Sequence, residues 1–371
     1  MKEKNVHKPY CWAPWVHLQH GNVMEGTTPC CEWSGDIYKG SIKDYLYSKH
    51  LLKIKKNMVK HKGYLKSCQN CRQQERVGNL SRRQILHQDK YVQTVVDSWK
   101  DKDILQPGLN NIVYLDYRPS NLCNLKCRMC GYKNSSMIAK EQGIELEISV
   151  PAKDYKNLDM SKLKGVAVVG GEPSIQQDLF DFLDYCCELG LNNTLQLSFT
   201  TNATNTNKKW MDRLSKWKYI KVQISLDGIG STMEYIRNGA SWPAIEKNCV
   251  VYEEILGKHK IEYSIVATAY NIPNVEDWAP WFLDKDDVSI WSVEGIPHQT
   301  LDAIPTDILN KKLKYLKSYK SVAWVNNLIN MIKMAKYNPK LNQELKYATL
   351  QLEKKRPGNI YTVNEIYKEI I

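Results

Sequence analysis

The chain has 371 residues, room for two or three domains at roughly 100–200 residues each. Hydrophobic residues make up 43% and charged residues 25%, ordinary globular values that exclude a wholly disordered, collagen-like or coiled-coil protein. The formal net charge of +12 is uneven: Lys and Arg counted against Asp and Glu give +10 over residues 1–100, −5 over 101–300 and +7 over 301–371. No apolar run approaches the roughly 18 residues that span a bilayer, and Met1-Lys2-Glu3-Lys4 leads into no apolar stretch. Neither a membrane span nor a secretory signal is expected, and the expected location is cytoplasmic.

In chain order, residues 1–104 hold Cys11, Cys30, Cys31, Cys68 and Cys71, with little periodicity before Ser81–Lys90. They read as a compact, loop-rich module whose core needs help from a metal. From about residue 105 strands and helices alternate. Apolar β-branched runs fall at Ile112–Tyr117, Gly165–Val169, Thr194–Thr200, Ile220–Leu226, Ile261–Ala267 and Val288–Val293. Helical spacing falls between them at Gln177–Leu189, Lys208–Lys216, Ala244–Leu256 and Val275–Leu283. Six such units predict a parallel sheet with helices outside it, too few for a complete eight-stranded barrel. The expected fold class is therefore α/β, a partial (β/α)6 TIM-like barrel over 105–300, with chemistry at the C-terminal ends of its strands. Residues 301–371 turn helical, with Leu309, Leu313 and Leu316 and then Val325, Leu328, Ile329 and Ile332 as the apolar positions, and form a basic C-terminal tail.

Eleven cysteines without a secretory signal argue against a disulfide framework, because cytosolic thiols stay reduced. Eight lie in the first 130 residues, a clustering that points to metal or iron–sulfur ligation. Cys186, Cys187 and Cys249 fall at apolar helical positions and read as core residues. The basic ends suit a nucleic-acid or acidic-peptide partner, or simply a solvated face carrying Lys311, Lys312, Lys314, Lys317 and Lys320. No RNA-binding motif accompanies the charge.

The strongest local signal is Cys123-Asn-Leu-Lys-Cys127-Arg-Met-Cys130, directly after the first strand of the series. Three thiolates at this spacing can wrap one inorganic cluster within a loop. On a four-iron cube they leave the fourth iron open to a ligand, as catalytic metal sites do. A zinc knuckle borrowing a distant fourth ligand is the alternative.

The Cys-x3-Cys-x2-Cys loop, within Arg118-Pro-Ser-Asn-Leu-Cys-Asn-Leu-Lys-Cys-Arg-Met-Cys-Gly131, resembles the radical S-adenosylmethionine (SAM) superfamily. The resemblance implies that Cys123, Cys127 and Cys130 ligate a catalytic [4Fe–4S] cluster whose open iron chelates SAM, with Met129 near the adenine. Reductive cleavage of SAM would then give a 5′-deoxyadenosyl radical that abstracts hydrogen from a substrate. Gly170-Gly171-Glu172-Pro173 resembles the family's turn that holds the SAM ammonium group. Close backbone approach at the two glycines and the Glu172 carboxylate suit a cation. Asn202, Ser225 and Arg237 resemble SAM-contacting residues, Arg237 through a guanidinium suited to a carboxylate. Asp227 reads as part of an Asp-Gly turn.

Cys11-Trp-Ala-Pro-Trp15, Cys30-Cys31 and Cys68-Gln-Asn-Cys71, ahead of Glu75, Ser81 and Arg82, resemble the SPASM/twitch auxiliary-cluster modules of the same superfamily. That resemblance implies a second [4Fe–4S] cluster on Cys11, one of Cys30 and Cys31, Cys68 and Cys71. A structural zinc on the same thiolates is the alternative. The implied substrate is a peptide or protein side chain, with a nucleotide, RNA or sugar as the second choice. The implied electron donor is a flavodoxin or ferredoxin, and no membrane partner is implied. A zinc- or cluster-stabilised binding or redox-sensing protein is the non-enzymatic alternative.

Overall fold

The computed structural model describes residues 10–21, 26–60, 65–76, 80–145 and 153–371. Met1–Lys4, where no secretory signal is expected, lies outside them. The helices and strands in chain order are α1 (Ala13–Val16), β1 (His17–Gly21), β2 (Gly26–Thr28), α2 (Ile42–Tyr47), α3 (Lys49–Lys60), α4 (Gln69–Arg76), α5 (Arg82–Gln88) and α6 (Lys90–Asp97). Next come β3 (Tyr114–Tyr117), β4 (Lys126–Cys127), α7 (Ser136–Gln142), β5 (Gly165–Val168), α8 (Gln177–Glu188), β6 (Gln196–Thr201), α9 (Lys208–Ser215) and β7 (Tyr219–Ser225). The chain continues through α10 (Gly230–Ile236), β8 (Arg237–Asn238), α11 (Trp242–Leu256), β9 (Ile261–Ala267), α12 (Val275–Leu283) and β10 (Val288–Ser292). It ends in α13 (Thr306–Leu316), α14 (Ala323–Met334), α15 (Pro339–Glu353) and α16 (Ile360–Val363). The six expected strands are present as β3, β5, β6, β7, β9 and β10, and the fold is α/β with a mostly parallel sheet and a helical C-terminal region.

Two compact units divide the described residues, one within 1–122, 143–199 and 216–220, the other within 123–142, 200–215 and 221–371. In the first, β3 pairs in parallel with β5 and β5 with β6. On its other side β3 pairs in parallel with β1, which returns through the antiparallel β2. This unit has its own core, in which Trp12, Trp15, Ile54, Leu86, Val92 and Trp99 are buried.

The loop-rich expectation for residues 1–104 is corrected here, because five helices take up most of the described residues between 42 and 97. On α3 the buried side chains are Leu51, Ile54, Lys55 and Met58, the spacing of one helical face, diluted in the sequence by lysines. Strand β1 reads His-Leu-Gln-His-Gly and is buried throughout, so it shows no apolar alternation to find.

In the second unit β7 pairs in parallel with β9 and β9 with β10, while β4 and β8 form a separate antiparallel pair. The C-terminal helices bury Leu316, Val325, Leu328, Ile332 and Leu345. Tyr367 closes the tail onto this unit, donating to the Tyr270 carbonyl at 2.5 Å and to Asn274 Oδ1 at 3.0 Å. The solvated-lysine reading of α13 needs one correction: Lys312 is drawn into an ion pair with Glu276 at 2.9 Å and its side chain is only 11% exposed. Cys186 and Cys249 are buried as core residues, whereas Cys187 is half-buried.

Candidate active site

The cysteine loop is built by local capping. Ser135 donates to the Leu125 carbonyl at 2.7 Å while its oxygen accepts from the Ile138 N–H at the start of α7. Ser136 Oγ accepts from the Cys123 N–H at 3.1 Å. The turn closes where the Cys130 N–H donates to the Cys127 carbonyl at 3.1 Å. Pairing of β4 with β8 sets Cys127 opposite Arg237 and Lys126 opposite Asn238.

Arg237 is the electrostatic centre of this region. Its Nε lies 2.8 Å from Asp227 Oδ2, and its Nη1 donates toward Cys127 Sγ at 4.0 Å. Burial raises the Cys127 thiol above its ordinary value, and the Arg237 charge opposes the shift by favouring the thiolate. Burial likewise pushes Cys130 up to about 12, with the Cys127 and Cys123 thiols adding to the rise. The Cys127 and Cys123 thiols thus stand close enough to Cys130 to disfavour its ionisation, which a positively charged cluster would relieve. This fits a thiolate-ligated iron–sulfur group.

Asn202 joins the same loop. Its Nδ2 donates to Asn124 Oδ1 at 3.0 Å, its Oδ1 accepts from the Thr204 hydroxyl at 2.6 Å, and Asn124 Nδ2 donates to Thr204 Oγ1 at 2.8 Å. Ser225 ends β7, and Met129 is half-buried in the loop. Asp227 does more than shape a turn: it is fully buried, accepts from the Val266 N–H at 2.9 Å and faces Arg237.

Gly170–Pro173 belongs to the first unit, where it packs on Ser120–Leu122 immediately before Cys123 in the chain. The Glu172 N–H donates to the Leu122 carbonyl at 2.8 Å. Gly171 has φ +60°, and a Cβ there would collide with the Leu122 carbonyl oxygen. Gln176 Nε2 donates to the carbonyls of Ser120, Leu122 and Gly170. Glu172 is buried and its carboxylate accepts from the Ser174 N–H at 3.1 Å. Asn124, Ser135, Ser136, Thr204 and Gln176 went unmarked in the sequence; Ser135 carried the one usable signal, a capping residue just ahead of a helix.

A second thiol cluster lies in the first unit. Cys11, Cys30, Cys68 and Cys71, with Arg82 and Arg83, help line one small cavity. The Ala13 N–H donates to Cys11 Sγ at 3.4 Å. Burial pushes Cys11 up to about 12 and Cys68 up to about 11, and neighbouring thiols add to both shifts. Cys31 is not among the lining residues; its sulfur accepts a hydrogen bond from Arg82. Glu75 pairs with Ser81 at 2.5 Å and with Arg83 at 2.7 Å, so Arg83, not Arg82, completes that network. Among the described residues no group of three His, Cys, Asp or Glu side chains is set to hold a single metal ion.

Residues 117–274 match the radical SAM superfamily. Similar curated proteins include the mycofactocin maturase of Mycobacterium ulcerans, 26% identical over 172 residues, covering 46% of this chain and 44% of that protein. An uncharacterised Methanocaldococcus jannaschii protein is 26% identical over 230 residues, covering 60% and 72%. The pre-heme d1 synthase of Dinoroseobacter shibae is 30% identical over 115 residues, covering 31% and 27%. The chain thus spans less than half the length of that maturase and that synthase. Among solved structures, anSMEcpe with bound AdoMet aligns at a TM-score of 0.43 and 20% identity, covering 56% of this chain and 60% of that one. Streptococcus suis SuiB bound to the precursor peptide SuiA aligns at 0.42 and 20% identity, covering 69% and 59%. Among the described residues no helix is long and apolar enough to cross a membrane.

Proposed function

We propose that the chain is a radical SAM enzyme, with Cys123, Cys127 and Cys130 holding a [4Fe–4S] cluster and the SAM that it binds. When bound and reduced, the cluster supplies the electron that cleaves SAM to methionine and a hydrogen-abstracting 5′-deoxyadenosyl radical. The observation that carries the reading is the convergence of three thiols on one loop beside a buried guanidinium, inside the segment that matches the superfamily. Arg237 favours thiolate at Cys127, and Asp227 fixes that guanidinium from the other side. Asn202 holds the loop at Asn124, next to Cys123. Met129, Gly170, Gly171, Glu172, Pro173, Asn202, Ser225 and Arg237 are the candidate SAM contacts.

Cys11, Cys30, Cys68 and Cys71 are the candidate ligands of a second [4Fe–4S] cluster, supported by their shared cavity. With four thiolates this cluster keeps no open iron and serves electron transfer or substrate positioning. The proposed substrate is a peptide or protein side chain, on the resemblance of residues 11–82 to SPASM/twitch modules, and the proposed donor is a flavodoxin or ferredoxin. The Lys312–Glu276 pair takes one cation away from a phosphate-binding face, which weighs against RNA. Anaerobic reconstitution with dithionite and SAM, followed by assay for 5′-deoxyadenosine, tests the activity.

A further inference from the structure

The C-terminal segment reaches back to the residues that flank Cys127. Arg356 is 4% exposed. Its Nε and Nη2 donate to Glu141 Oε2 at 3.0 and 2.6 Å, and its Nη1 donates to the Lys126 carbonyl at 3.0 Å. Lys126 Nζ donates to the other Glu141 oxygen at 2.9 Å, closing a ring of three side chains over the peptide that leads into Cys127. One residue beyond Arg356, the Pro357 carbonyl accepts from Asn238 on β8, the strand paired with β4. On the far side of Cys127, the Arg128 carbonyl accepts from Gln299 Nε2 at 3.0 Å. The Arg128 guanidinium stands 3.6 Å from the Tyr235 ring centroid, and Tyr235 donates to Glu353 at 2.9 Å. Lys126 and Arg128, the neighbours of Cys127, are therefore both tied into residues 299–357.

We propose that Arg356 is a positioning residue: through Glu141 and the Lys126 carbonyl it fixes the backbone that aims the Cys127 thiolate at the cluster. A guanidinium suits this because one planar fork serves a carboxylate and a main-chain carbonyl together, which a lysine ammonium does less rigidly. Removing it leaves the half-buried Glu141 charge facing Lys126 alone and frees the Lys126 carbonyl. The role rests on the reading of Cys127 as a cluster ligand, but its first consequence is a property of the apo-protein.

The experiment measures iodoacetamide alkylation of individual cysteines by mass spectrometry in the full-length apo-protein, for wild type, R356Q and R356K. Cys186 and Cys249 report whether the core stays closed. In R356Q the Cys127 rate should rise by about fivefold or more relative to Cys249, and R356K should bring it back to within about twofold of wild type. In the reconstituted protein, R356Q should lose at least about half of the SAM-responsive electron paramagnetic resonance signal of the catalytic cluster. An unchanged Cys127-to-Cys249 ratio overturns the proposal, as does a parallel rise of all three cysteines, which makes Arg356 a staple of the whole fold. If the wild-type cluster shows no SAM response, the functional reading fails by itself, and the alkylation ratio still decides the positioning role.

Discussion

Arg237 and Asp227 form a buried ion pair, Nε to Oδ2 at 2.8 Å, that holds the Arg237 fork against the Cys127 sulfur. Asp227 comes from the turn after β7 and Arg237 from β8, so the pair locks the Asp-Gly turn to the strand that faces the cysteine loop. Its removal should cost both stability and activity. D227N keeps the shape and deletes the charge, leaving Arg237 without its counterion at a cost of about 3–5 kcal/mol for a buried pair. Thermal unfolding of the apo-protein should show this loss, and R237K should lower 5′-deoxyadenosine formation about tenfold or more, roughly 1.4 kcal/mol of barrier. Wild-type melting of D227N would mean that the pair is not electrostatically coupled.

Gly171 offers a backbone test. With φ +60° and the Leu122 carbonyl where a Cβ would go, G171A should destabilise the chain by about 1–3 kcal/mol. Urea unfolding measures it, with G143A as the comparison, since Gly143 has φ +67° but open space around it. Equal losses in the two variants would assign the effect to φ alone.

Metal content separates Cys30 from Cys31. Two cubane clusters require about eight irons per chain. C30A should fall to about four irons after reconstitution, whereas C31A should stay near eight, because Cys31 is bound to Arg82 outside the cavity. Loss of iron in C31A alone would exchange the two assignments. About four irons with one tightly held zinc would sink the second cluster while sparing the first.

The ring around Glu141 sets a pH dependence. Hydrogen bonding from Arg356, opposed by burial and aided by Lys126, holds the Glu141 carboxyl down at about 2. A carboxyl whose folded value is depressed adds stability above its unfolded value, near 4.5, and loses it as pH falls toward 2. The difference in urea midpoint between wild type and E141Q should therefore be full at pH 6–7 and shrink below about pH 4.5. A difference constant from pH 7 to 3 would contradict the ion pairing.

What the sequence made legible follows the range of each signal. Strands β3, β5, β6, β7, β9 and β10 could be found because each lies in or directly after an apolar run rich in β-branched or aromatic residues. The Cys123–Cys130 loop and Gly170–Pro173 could be found because their spacing is local. The Arg356–Glu141 contact joins residues 215 positions apart, and nothing near either one marks it. Asp227 was obscured because Asp-Gly is also an ordinary turn, and its role appears only once Arg237 folds against it. The helices of residues 42–97 were obscured by lysines, which hide an apolar face that only packing reveals.

The most direct measurement is 5′-deoxyadenosine produced per chain by anaerobically reconstituted protein with dithionite and SAM, wild type beside C123A, C127A and C130A. Wild type should form it, and each variant should fall to background while keeping the iron bound at Cys11, Cys30, Cys68 and Cys71. Turnover in any of the three variants within about tenfold of wild type would contradict the assignment of that cysteine to the catalytic cluster.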